Sequence, residues 1–155
     1  METAAEATTL ANEVQNTNQV RQELVIGLVG LVGTDLLAVV NELTSAFKVA
    51  EHVVNYIDIS SGVFPVLFPE LNGKNFASEF DRINSLMNYG NKARNSFGDY
   101  SILALGAIDE IIKKREVDKD TLDRKPLNKT IHIIKSLKHP NEVWSSPEKV
   151  DTQLS

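Results

Sequence analysis

At 155 residues the chain is long enough for one domain with a sizeable core, and 42% hydrophobic with 24% charged residues is ordinary for a globular protein. A net charge of -5 argues against a dominant nucleic-acid-binding face, which needs clustered Lys and Arg; it leaves room for a small local basic patch, for example at Lys113, Lys114 and Arg115. The absence of cysteine excludes disulfides, thiolate-held zinc and a thiol nucleophile. With neither a secretory leader nor an apolar run near the roughly 20 residues of a membrane span, a cytoplasmic location is expected.

In chain order, residues 1–22 are polar and read as a flexible or weakly helical arm. Leu24 to Val29 is continuously apolar, which predicts a strand of a parallel sheet buried on both faces. Glycines at 27, 30 and 33 follow it. Leu36, Val40, Leu43 and Phe47 then recur at helical spacing and predict an amphipathic helix. "AEHVVNYIDIS" predicts a second strand, and "SGVFPVLFPELNGKN", with two glycines and two prolines, a long loop.

Phe76, Phe80, Ile83, Leu86 and Met87 form the stripe of a long helix that breaks at Gly98. Another helix follows, with Ile102, Leu105, Ile108, Ile111 and Ile112 facing inward. "KKREVDKDTLDRKP" reads as a solvated, charged connector. "KTIHIIKSL" predicts a third strand, and Pro140 with Asn141 starts a further helix. The domain spans 23–143, and residues 144–155 form a polar tail. The alternation predicts an α/β fold with a mainly parallel sheet. Three strands are few for such a sheet, so an incomplete sheet or an edge covered by a partner is expected.

The glycine turn carries the main chemical question. A P-loop, G-x-x-x-x-G-K-[ST], aims backbone N–H groups at phosphate, with Lys neutralising the outer phosphates. Placing Gly33 at the second glycine puts Thr34 where the lysine belongs and Asp35 where the hydroxyl belongs. A helix N-terminus still offers free donors and about half a positive charge, but a carboxylate at Asp35 competes for them. The plain alternative is that Thr34 or Asp35 is the N-cap. A dinucleotide-binding turn is only half matched, by Gly30 and Gly33, with Asp58 as its ribose-binding acid. Asp58 is also a second-choice magnesium ligand.

The three histidines, His52, His132 and His139, have no zinc-binding spacing, and no G-x-S-x-G elbow is present. Asn91 and Arg94 lie nearly one turn apart with Asp99 beyond the break. They read either as contacts to a base, sugar or phosphate, or as a pair tying two helices together.

"ELVIGLVGLVGTDL", "INSLMNYGNKARNSFGD", the apolar helix after it and "IHIIKSLKHPNEV" together resemble the N-terminal P-loop kinase-like domain of bacterial anti-phage dCTP/dCMP deaminases, two-domain cytidine-deaminase-like defence proteins. The resemblance covers residues 23 to 143. It implies a P-loop NTPase-like, three-layer domain. The family's phosphate loop falls on Gly27, Gly30, Gly33, Thr34 and Asp35, its helix motif on Asn91 and Arg94, and its "SLKHP" motif on Ser136 to Pro140. The implied ligand is a nucleotide, with Mg as its companion, and the implied partners are a deaminase domain or subunit and further copies of the chain.

The zinc deaminase motifs H-x-E and P-C-x-x-C are absent from this sequence, so the expectation is a nucleotide-binding regulatory or assembly domain. Two alternatives stand beside it. One is an active nucleoside or nucleotide kinase, which needs positive charge brought over the loop by Arg94 or Lys138. The other is an interaction module with a vestigial loop. Phosphoryl transfer is disfavoured by the missing loop lysine.

Overall fold

The computed structural model describes residues 23–144 except 118, 120 and 121. The predicted arm at 1–22 and the tail beyond Trp144 lie outside the described residues. The fold is α/β: strand β1 (Glu23–Val29), helix α1 (Leu36–Val49), strand β2 (Val53–Asp58), short helix α2 (Phe64–Leu67), long helix α3 (Glu79–Phe97) and helix α4 (Ile102–Lys114). Then come two-residue strands β3 (Glu116–Val117) and β4 (Arg124–Lys125), strand β5 (Thr130–Leu137), and a helical turn over 140–144.

The main sheet is parallel, in the order β1-β5-β2. The third long strand therefore lies between the first two. A dinucleotide-binding half places the second strand in the middle, and a flavodoxin-like sheet places the first there. The half-matched dinucleotide turn thus sits in the wrong topology for that role.

Strand periodicity sends alternate residues to two packed layers. Ile131 and Ile133 of β5, with Ile26 and Leu28 of β1 and Val54 of β2, pack on the Val40, Leu43 and Phe47 stripe of α1. On the opposite face, Val25, Ile57, Ile134 and Leu137 join Ala93 of α3 and Leu103, Ala104, Ala107 and Ile111 of α4.

Several expectations change. The doubly buried strand is β5, not β1. In the described chain β1 is an edge strand, and its Leu24 and Val29 are about half exposed. The predicted loop after β2 is instead wound into a π-helical turn (Ile59–Val63), α2 and a 3-10 turn (Pro69–Leu71). Its Ile59, Val63, Phe64, Phe68 and Leu71 are core residues. Their spacing of about one helical turn outweighs the breaker signal, because Pro65 sits in the first turn of α2, where its missing N–H costs nothing.

In α3 the inward face is Tyr89, Gly90, Ala93 and Arg94, while Phe80 and Met87 are exposed. In α4 the face is rotated onto Leu103, Ala104, Ala107, Ile108 and Ile111. The charged connector holds the antiparallel β3–β4 pair. Its Arg115 is buried against Glu23 at 2.7 Å, and Lys113 pairs with Asp109 and Glu110, so two of the three basic residues of that run are already matched.

Candidate functional site

Because β1, β5 and β2 run parallel, their carboxyl ends converge, and open α/β sheets hold ligands at that end. A cleft of about 910 Å³ lies there. The glycine turn and the start of α1 form one wall, and α3 from Glu79 to Arg94 forms the opposite one. Asp58, Lys135 and Ser136 lie along its floor, with Lys138 and His139 beside them. Gly33, Thr34, Asp35, Asn91 and Arg94, drawn from two distant segments, all line this one cleft.

Gly27 and Gly30 do not line it. A Cβ at Gly27 would lie 2.7 Å from the Leu137 side chain, so this glycine admits a close packing contact. Gly30 lies against Leu36, and its carbonyl accepts from the Lys138 ammonium.

The turn is partly self-satisfied. Thr34 donates its amide to the Leu31 carbonyl at 3.1 Å and Leu36 donates to the Thr34 carbonyl at 2.9 Å. Asp35 is the N-cap, its Oδ1 accepting from the Ala38 amide at 3.0 Å, so its carboxylate is directed back at its own helix. Among the described residues, the amides of Val32 and Gly33 make no such turn bond. Gly33 has φ +90°, a left-handed conformation that side chains resist.

The lysine absent from the turn arrives from another strand. The register between β1 and β5 slips after Leu28, and Ser136 is the extra residue, with φ +77°. Such a bulge re-aims the residues beyond it. Leu137 folds down onto Gly27, and the Lys138 ammonium reaches the Gly30 carbonyl at 2.7 Å. Lys138 meets no carboxylate among the described residues.

Arg94 behaves differently. Its Nη2 pairs with Glu142 Oε1 at 2.6 Å in a buried bridge, and Nη1 reaches Asn91 Oδ1 at 3.4 Å. Glu142 Oε2 also accepts the amides of Lys138 (2.7 Å) and His139 (2.9 Å). The Arg–Asp pair read from the sequence is thus corrected: Arg94 bridges to Glu142, and Asp99 accepts from the Ser101 amide and hydroxyl. One carboxylate joins α3 to the segment carrying Lys138. His139 stacks on Tyr100, with ring centroids 4.8 Å apart.

The floor is a charge network. Asp58 accepts from Lys135 Nζ at 3.0 Å, the Tyr56 hydroxyl at 3.2 Å and the Ser60 amide at 2.9 Å. Burial pulls the Lys135 ammonium down, but the hydrogen bond and attraction from Asp58 outweigh it and hold its pKa above the usual lysine value. Burial, then Asp58, raises the Tyr56 phenol. Arg82 grips Glu79 at 2.5 and 2.8 Å and lines the cleft.

Lys135, Arg82, Ser60 and Glu142 were not legible as site residues, since each depends on where a strand or helix ends. The usable signal was the lysine spacing in "IHIIKSLK", at the end of what proves the most buried strand.

The chain matches no protein-family model, no curated protein and no solved structure. No helix among the described residues is long and apolar enough to cross a membrane.

Proposed function

We propose that this chain is a nucleotide-binding regulatory or assembly domain of P-loop kinase-like type, belonging to an anti-phage deoxycytidine nucleotide deaminase system. The supporting observation is the delivery of the Lys138 ammonium to Gly30, over a glycine turn, at the mouth of a cleft at the strand ends. That arrangement supplies positive charge that the turn's own sequence lacks. Ile83, Leu86 and Met87 on the facing helix offer an apolar surface of the kind a base or sugar packs on, beside the polar side chain of Asn91.

The domain binds and does not deaminate: with no cysteine it has no thiolate ligands for the deaminase zinc. An assembly role is supported by the outer edge of β1, which pairs with no other strand among the described residues. Incubation with ATP and deoxynucleosides tests the kinase alternative, and phosphorylated product above background would replace the binding role. Calorimetry with a nucleotide panel tests the binding itself.

A second reading, an interaction module with a vestigial turn, is favoured by one observation. Leu31 and Val32, at the tip of the turn, are 85% and 62% exposed. Under that reading Leu31→Ser and Val32→Ser abolish self-association or partner capture, and no nucleotide shifts the melting temperature.

A further inference from the structure

We infer that the cleft takes its ligand as a phosphomonoester anion without a divalent metal, the phosphate lying between Lys138 and the glycine turn. This rests on the nucleotide-binding reading and specifies which form of nucleotide enters.

The argument starts from the carboxylates. Among the described residues three line the cleft, and each already has a partner. Asp35 caps Ala38, Glu79 is held by both forks of Arg82, and Asp58 takes three donors including Lys135. Magnesium at a phosphate site is held by one or two carboxylates together with substrate oxygens. The acid placed to serve is Asp58, at the end of β2, and Lys135 Nζ already neutralises it at 3.0 Å. Seating a metal there would displace Lys135 and leave an ammonium and a divalent ion side by side in a largely buried floor.

The cations tell the same story. Arg82 is matched by Glu79, Arg94 by Glu142 and Lys135 by Asp58, while among the described residues Lys138 meets the Gly30 carbonyl and no carboxylate. Beside the turn amides of Val32 and Gly33 this ammonium faces the Asp35 carboxylate, which only the neutral Ala38 amide caps, so the turn has charge and donors for one phosphate group and no more. A triphosphate lacking its metal brings roughly four negative charges into a site built to neutralise about one or two.

The test is calorimetry of the full chain with dCMP, dCTP and ribose 5-phosphate, each in EDTA and in excess magnesium. The expected result is dCMP binding that is equal within twofold in the two buffers and at least tenfold tighter than dCTP in either. Lys138→Met should weaken dCMP at least tenfold, with Lys138→Arg largely restoring it. Binding of dCTP that requires magnesium, or a tenfold gain for dCMP on adding it, overturns the metal-free form and leaves nucleotide binding intact. Ribose 5-phosphate binding as tightly as dCMP supports the phosphomonoester site and overturns recognition of a base. Absence of binding by all three overturns both.

Discussion

Removing the Glu142 carboxylate should be the most damaging single change outside the apolar core. Its side chain is fully buried, it pairs with an Arg94 that is nearly so, and its second oxygen accepts two backbone amides. Glu142→Ala therefore strands a buried guanidinium whose Nε already lacks a partner, and also uncaps the turn at 140–144. Breaking a buried pair costs about 3–5 kcal/mol. Losing the cap adds about 1 kcal/mol. A total of about 4–6 kcal/mol is a large part of the roughly 5–15 kcal/mol that holds a domain together. It corresponds to a melting point lower by about 10–20 °C.

Two further variants separate these terms. Glu142→Gln keeps an oxygen for the amides and loses only the charge, so its cost should be about 3–5 kcal/mol. Arg94→Leu with Glu142→Gln removes the stranded cation, so its stability should return to within about 2 kcal/mol of the parent. Denaturant titration of the three proteins reads this directly. If Glu142→Ala costs less than about 1 kcal/mol, or the double variant is worse than either single change, the bridge is not the tie described above.

The remaining predictions concern the turn and the buried histidine. Gly27→Ala forces a methyl to 2.7 Å from Leu137. It should cost about 1–3 kcal/mol in denaturant titration and weaken ligand binding, because Lys138 follows Leu137. Gly33→Val meets no neighbour within 4 Å but must adopt φ +90°. Its penalty of about 1–3 kcal/mol is therefore conformational, and calorimetry should find binding lost while the far-ultraviolet circular dichroism of the parent persists.

His132 donates from Nε2 to Glu23 at 2.9 Å, leaving Nδ1 buried without a partner; burial holds its pKa below the ordinary 6.5, outweighing the pull of Glu23. Its neutral form is favoured in the folded state, so its contribution is complete above pH 6.5 and is lost as pH falls from there through the folded value. Chemical denaturation between pH 7.5 and about 5 should show stability declining with acid, with a shallower slope in His132→Gln. An equal slope would remove His132 as the cause.

Much of this fold was legible in the sequence because it follows from periodicity. Val40, Leu43 and Phe47 of the α1 stripe carry their face in their spacing and pack as it requires, and the run "TIHIIKSL" is a strand as its composition predicts. The same local logic misjudged "SGVFPVLFPEL". There the glycines and prolines announced a loop, while Val63, Phe64, Phe68 and Leu71 were drawn into the core by tertiary packing. Arg115 failed similarly: nothing local shows that a charge in a basic run will meet Glu23, 92 residues away.

Of the residues expected from the sequence to touch a nucleotide, Gly33, Thr34, Asp35, Asn91 and Arg94 line one cleft, whereas Gly27 and Gly30 do not. The origin of its positive charge was legible only as the choice between Arg94 and Lys138. A register slip at Ser136 decides that choice, and slips are set by the pairing of strands more than 100 residues apart. Glu142, whose carboxylate holds Arg94, was not singled out by any local sequence signal.

The most direct measurement is the backbone amide NMR spectrum of the full chain titrated with dCMP. If the turn and Lys138 hold the phosphate, the largest shifts fall on Val32, Gly33, Lys138 and His139, and Lys138→Met erases them. Saturation without movement of those four signals, or none at millimolar ligand, would contradict the account.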